Sequence, residues 1–263
     1  MSQASLSAEQ LIVLGLQHIQ DGQLDEAIAA FQDATVLDPQ SAIAHYNLGL
    51  ALRQQGDLQG SANAFFQAIQ IDPSFATAYA NLGAALLEGN NIELSQAYLQ
   101  QAIDLEPELG LAHYNLGLVY QQTGDISAAI DAFESAMAFS PNAPESSYHL
   151  GQIYRQQGND DEALVAFEQA IALNPNYAEA HYSVGSIFYD RQQFQEALTA
   201  FQQSAAINPF YPNAYYGAGL VFLRQGQDAD AQSMFEYART LFAEQGNALL
   251  LSKLNIIENA IFP

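Results

Sequence analysis

The heptapeptide AHYNLGL occurs twice in this 263-residue chain, at 44–50 and at 112–118. The two copies belong to a longer regularity. Glycine recurs at Gly15, Gly49, Gly83, Gly117, Gly151, Gly185 and Gly219, and proline at Pro39, Pro73, Pro107, Pro141, Pro175 and Pro209, both with a period of 34 residues. A fixed period between about 20 and 50 residues marks a stacked array, in which each unit buries its apolar face against its neighbours. Chain length then counts modules rather than globular domains.

One period, 42–75, shows what the module is. Tyr46, Leu48, Leu50 and Leu52 surround Gly49, the polar stretch RQQGD interrupts, and Ala62, Phe65, Phe66, Ala68 and Ile69 resume the apolar pattern. Spacings of three and four on both sides of a glycine-containing break predict helix, turn, helix. Asp57 stands where it can cap the second helix. Asn91, Asp125 and Asn159 hold the same position in later periods, and Glu162, three residues after Asn159, suggests a capping box. Each proline ends a module, because its ring and its effect on the preceding residue both oppose helix continuation. A glycine inside a helix costs about 1 kcal/mol relative to alanine, so its recurrence predicts close helix approach. Around it run small columns (Ala27, Ala129, Ala163, Ala197, Ala231; Ala34, Ala68, Ala102, Ala136, Ala170, Ala238) and one large column, Phe31, Phe65, Leu99, Phe133, Phe167, Phe201 and Phe235.

Taken together, the Leu, Gly, Tyr, Ala, Phe, Ala and Pro columns resemble the tetratricopeptide repeat. The match departs from that family at its first-helix tryptophan, which is replaced here by His45, Tyr79, His113, His181 or Tyr215. The resemblance implies an all-α fold: antiparallel helix pairs stacked into a right-handed superhelical α-solenoid whose inner wall is made mainly by first helices. The expected organisation is an N-terminal extension at 1–7, repeats at 8–41, 42–75, 76–109, 110–143, 144–177, 178–211 and 212–245, and a C-terminal capping helix at 246–263. That last segment has leucine and isoleucine on more than one face, so a homodimer contact through Leu249, Leu250, Leu254 and Ile257 is the alternative use of it.

Six Lys and Arg against 29 Asp and Glu give a net charge of −23, which repels phosphate backbones and excludes nucleic acid as the natural partner. No apolar run is long enough for a membrane span, the first residues lack a basic leader, and there is no cysteine, so a cytoplasmic protein without disulfides or thiolate metal sites is expected. His45, His113 and His181 share a column, but helices two repeats apart lie roughly 20 Å apart, too far to share an ion that needs ligands at about 2 Å. Asp160, Asp161 and Glu162 open a helix, where carboxylates answer the helix dipole. No phosphate-cradling loop or nucleophile motif is present. The expectation is a non-enzymatic chain with no cofactor and no metal.

On the first helices, one column runs Ile12, Tyr46, Ala80, Tyr114, Tyr148, Tyr182, Tyr216, and the next Val13, Asn47, Asn81, Asn115, His149, Ser183, Gly217. A third runs Leu16, Leu50, Ala84, Leu118, Gln152, Ser186, Leu220. Asparagine can pair with any peptide backbone and tyrosine supplies rigid amphipathic area. The candidate partner-binding set is therefore Tyr46, Asn47, Leu50, Asn81, Tyr114, Asn115, Leu118, Tyr148, His149 and Tyr182. The alternative is that the tyrosines only pack between helices and the asparagines are solvated. A clamp for a C-terminal carboxylate, one known mode of the family, lacks its basic residues: the matching columns carry Ile43, Thr77, Leu111, Glu145 and Glu179. The groove is apolar and amide-rich in its N-terminal half and more acidic in its C-terminal half. It suits a protein or peptide with apolar anchors and a basic segment, held by a scaffold or adaptor in the assembly of a larger complex.

Overall fold

The computed structural model describes residues 6–261, except for the side chains of Lys253 and of 256–261. Among the described residues every regular element is a helix. The first helices of successive pairs are α1 (Ala8–Gln20), α3 (Ala42–Gln55), α5 (Ala76–Glu88), α7 (Gly110–Thr123), α9 (Pro144–Gln156), α11 (Ala178–Asp190) and α13 (Pro212–Arg224). Their partners are α2 (Leu24–Leu37), α4 (Leu58–Ile71), α6 (Ile92–Leu105), α8 (Ile126–Phe139), α10 (Asp160–Leu173), α12 (Phe194–Ile207) and α14 (Asp228–Glu244), followed by α15 (Ala248–Ile261). The chain forms two compact units, 1–141 and 142–263. Inside each, a helix packs against its own partner and the partner packs against the next first helix, so each unit is a stack of helix pairs.

The repeating glycine has a specific steric partner. A Cβ at Gly49 or Gly117 would stand 2.7 Å from the ring of Phe65 or Phe133, and at Gly83 2.6 Å from Leu99. The same pairing holds at Gly15, Gly151, Gly185 and Gly219 with Phe31, Phe167, Phe201 and Phe235. The glycine is thus the seat of the large core residue of its own repeat, and all seven large residues are buried. Losing about 1 kcal/mol of helix propensity is offset by burying a phenyl ring, which contributes roughly 2–3 kcal/mol.

Capping follows the sequence expectation in part. Asp57 Oδ1 accepts from the Gly60 N–H at 2.8 Å and Asp125 Oδ1 from the Ala128 N–H at 3.2 Å. Asn91 and Asn159 hold the N-cap position without a side-chain cap bond, and the box expected between Asn159 and Glu162 does not form. At α10 three carboxylates in the first turn answer the exposed N–H groups by charge instead, and Asp160 is engaged by Arg155. The capping box that does form joins Ser7 and Gln10 at α1. In the linkers, Asp38, Asp72, Asn174 and Asn208 each accept an N–H from the residue two positions on, which turns the chain across the proline. Two Ser74 bonds hold the Asp72 carboxyl below the usual range.

The histidine column has a structural task that spacing does not reveal. The ring Nε2 of His45, His113 and His181 donates to the carbonyl of Pro39, Pro107 and Pro175, at 3.3, 2.8 and 3.0 Å, and the Tyr215 hydroxyl donates to Pro209 at 3.1 Å. Each such bond fastens a first helix to the linker that precedes it.

In the second unit, Leu254 of α15 is fully buried with Ala231, Phe235, Ala238 and Phe242, and Leu250 packs partly against them. Both side chains therefore pack against α14 of the same chain. Leu249 is 67% exposed, and the side chain of Ile257 lies outside the described residues.

Candidate protein-interaction face

In the first unit the relevant surface is built by one stripe of each first helix, at positions i, i+4 and i+7: Ile43–Asn47–Leu50 on α3, Thr77–Asn81–Ala84 on α5 and Leu111–Asn115–Leu118 on α7. Every asparagine in the stripe is turned back on its own helix. Asn47, Asn81 and Asn115 donate Nδ2 to the carbonyls of Ile43, Thr77 and Leu111 at 2.8, 2.9 and 2.8 Å. Asn81 also donates to the Tyr46 hydroxyl at 3.2 Å, which joins α5 to α3. Asn81 and Asn115 are each only 5% exposed. They are therefore not solvated fillers: Asn81 has both Nδ2 hydrogens and Asn115 at least one engaged inside the fold.

The tyrosines have a comparable packing role. Tyr46 lies 5.7 Å from Phe65 and 4.8 Å from Phe75, and Tyr114 lies 6.0 Å from Phe133. Burial pushes the Tyr46 phenol above its ordinary value, with the Asn81 bond opposing. Apart from Glu9 at the head of the α1 stripe, what the first-unit stripe leaves to solvent is mainly aliphatic: Val13, Leu16, Ile43, Leu50 and Leu111, of which Val13 and Ile43 are 67% and 58% exposed. Of these only Leu50 belongs to the sequence-derived set. The other four stand in the same columns, and the signal that finds them is the i, i+4, i+7 stripe itself. This wall is poor in charge: α1, α3, α5 and α7 carry Glu9, Glu88 and Arg53, and Arg53 pairs with Glu88. The other acidic residues of 1–141 lie on second helices, turns and linkers.

In the second unit the stripe changes character to Glu145–His149–Gln152 on α9 and Glu179–Ser183–Ser186 on α11. Tyr148 accepts a hydrogen bond from Gln152 Nε2 at 3.0 Å and packs on Phe167 and Tyr177 at 5.7 and 4.9 Å. Tyr182 packs on Phe201 and Tyr211 at 5.6 Å each. Burial raises the Tyr148, Tyr182 and Tyr211 phenols, so all three stay neutral hydroxyls near neutral pH. His149 stacks edge-on to Tyr148 at 5.8 Å, and burial pushes its imidazole down to about 4. A cavity of about 230 Å³ opens between Gln152, Arg155, Phe167, Tyr182, Ser183 and Ser186. Arg155 at its side is engaged by both Asp160 and Asp190. Tyr46, Asn47, Leu50, Asn81, Tyr114, Asn115 and Leu118 thus come together in one unit, and Tyr148, His149 and Tyr182 in the other.

Among the described residues no group of three or more His, Asp and Glu side chains is placed to hold a metal ion, and no helix is long and apolar enough to cross a membrane.

Comparison with known proteins agrees with this architecture. Two family profiles match the chain, one described as tetratricopeptide repeat at 12–77 and 80–144, the other as TPR repeat at 151–189 and 185–226. A search of curated protein sequences finds no match. Among solved structures, the chain is similar to one in the Cut9–Hcn1 hetero-tetramer of the APC/C, at 22% identity and a TM-score of 0.74 over 82% of this chain and 43% of that one. It therefore spans less than half of that protein. A tetratricopeptide repeat protein of Parabacteroides merdae is 20% identical, with a TM-score of 0.69 over 95% and 98% of the two chains. YrrB, a TPR protein described as having an unusual peptide-binding site, is 26% identical, with a TM-score of 0.56 over 73% and 99%. The repeats these proteins share form a protein-interaction module that is typically non-enzymatic. With the 34-residue period, the glycine-seated aromatic core and the two profiles in agreement, this chain is a member of the tetratricopeptide repeat family.

Proposed function

We propose that this protein is a non-enzymatic scaffold or adaptor that holds a segment of a partner polypeptide on its first-helix faces and so helps assemble a larger complex. The observation that carries the reading is the first unit's wall: solvent-exposed Val13, Leu16, Ile43, Leu50 and Leu111 on helices nearly free of charge, in a chain of net charge −23. Aliphatic side chains gathered on one face mark a surface that is covered in use. The partner segment carries apolar anchors for this wall. A basic stretch suits the more acidic second unit, where charge governs encounter and orientation more than affinity. The peptide-binding site attributed to YrrB supports the same class of partner. A cytoplasmic setting agrees with a chain devoid of cysteine.

The test is selection of a random peptide display library on the immobilised protein, followed by measurement of the enriched peptides against Ile43→Glu, Leu50→Glu and Leu111→Glu. Ile43 is largely exposed and Leu50 and Leu111 partly so, and circular dichroism checks that each variant folds as the parent does. Enriched peptides rich in aliphatic residues, with binding weakened about tenfold or more by each variant, support the reading. Unchanged binding across the three variants rejects it. The exposure of Leu249 favours one further reading, self-association through α15. Sedimentation equilibrium of the parent and of Leu249→Asp decides that: a monomeric parent removes it.

A further inference from the structure

A cavity of the first unit lies away from the aliphatic wall. It has a volume of about 350 Å³ and is bounded by Gln100 and Ile103 of α6, His113, Leu116 and Tyr120 of α7, and Asp131 and Ser135 of α8. Its size falls at the lower end of ligand clefts, which run from about 300 Å³. The space exists because α8 contributes Ala128 and Ala132 where α6, one repeat earlier, has Leu94 and Tyr98. The floor is apolar, made by Ile103, Leu116, Ala128, Ala132 and the Tyr120 ring.

Several of the polar donors around the floor are already engaged within the fold. Gln100 gives one of its two Nε2 hydrogens to Asp104 at 3.0 Å, Ser135 gives its hydroxyl proton to the Asp131 carbonyl at 2.9 Å, and His113 gives Nε2–H to Pro107 at 2.8 Å. The polar groups along the cavity are the Gln100 amide, the Ser135 hydroxyl, the His113 ring, the Tyr120 hydroxyl and the Asp131 carboxylate. No hydrogen-bond donor or cation among the described side chains pairs with that carboxylate. Residues 1–141 hold one Lys or Arg in all, Arg53, and it is tied to Glu88.

An apolar floor beside an unpaired carboxylate, in a unit with no free cation to neutralise it, suits a ligand with an aliphatic body and a cationic head rich in donors. We infer that this cavity between α6 and α8 is a docking site for an arginine side chain of a partner polypeptide. The methylene stem lies on Ile103 and Leu116, and the planar guanidinium meets Asp131 and Gln100 with a donor for each and can lie against the Tyr120 ring. Lysine offers the same charge without the planar fork. The site is separate from the first-helix wall and stands or falls independently of it.

The experiment is a ¹H–¹⁵N NMR titration of the full chain with the acetylated, amidated tripeptide Gly-Arg-Gly, carried to about 20 mM in about 0.15 M salt so that diffuse attraction is screened. The same peptide with citrulline or lysine in place of arginine runs alongside. The expected result is a set of saturating shifts confined to residues lining the cavity, absent with citrulline and at least about threefold weaker with lysine. Asp131→Asn weakens the arginine peptide by about tenfold. Ala128→Leu, which copies the residue α6 already carries at this position, abolishes the shifts while leaving the melting temperature in place. Shifts scattered over acidic residues, equal response to citrulline or to lysine, persistence of binding in both variants, or no response at all would each overturn the assignment.

Discussion

At Gln192 the backbone adopts φ of 60°, a conformation that L residues other than glycine reach at a cost. The same place in other repeats is held by Gly22, Gly56, Gly124, Gly158 and Gly226, all with positive φ, and by Asn90, a residue that tolerates this region better than most. Gln192→Gly is therefore expected to stabilise the protein by about 1 kcal/mol, read from the urea midpoint. His149 tests a second residue-scale argument. Its ordinary value of 6.5 falls to about 4 on burial, so between these values the unfolded chain binds more protons than the folded one. The stability this neutral ring contributes is complete above about pH 6.5 and is lost as pH falls toward 4. His149→Asn installs the residue that the first unit uses in the same column. The stability of parent minus variant should be flat above about pH 7 and drop by up to about 3 kcal/mol on the way to pH 4. A difference that stays flat would mean the imidazole titrates in both states alike.

At the scale of elements, the module was legible before any coordinates because its punctuation recurs: a turn residue, a glycine and a proline, each in phase. Helix starts at Ala8, Ala42, Ala76, Gly110, Pro144, Ala178 and Pro212 keep the same 34-residue spacing. What the pattern did not disclose is contact across a turn. The His45 and His181 bonds reach back six residues, across linkers turned at Asp38 and Asn174, and the Tyr215 bond does the same across the turn at Asn208. The leucines of α15 were likewise ambiguous, since an apolar helix with several greasy faces does not say which face is inward. Its packing now separates Leu254, buried on Phe235 and Phe242, from Leu249, which is exposed. Leu254→Ala should cost about 3 kcal/mol in the urea unfolding of the full chain, and Leu249→Ala less than about 0.5 kcal/mol. Equal effects would mean that α15 does not pack against α14 as described.

For the whole molecule, charge is the dominant unsatisfied term. Six cations face 29 carboxylates, and Arg53, Arg155 and Arg191 are already committed to ion pairs. Like-charge repulsion on this scale opposes compactness and is screened over roughly 10 Å at 0.1 M salt. Raising sodium chloride from about 0.02 to 0.5 M should therefore lift the melting temperature by several degrees, roughly 1 kcal/mol or more. A chain whose stability came mainly from its few ion pairs would respond in the opposite direction, because salt weakens those pairs as well.

By itself the sequence determined the helical module, its number and phase, the large core column and the acidic surface, because each of these depends on residues near one another in the chain or on composition alone. It also placed the tyrosine and asparagine columns on first helices. Only the tertiary structure decided what those columns do: Asn81 and Asn115 turned inward onto their own helices, while Val13, Ile43 and Leu111 were left outside. The physical reason is that burial on a stacked helix depends on how closely the next repeat approaches. Which apolar stripe remains open, and which alanines leave a cavity beside Asp131, is set by residues 34 positions away.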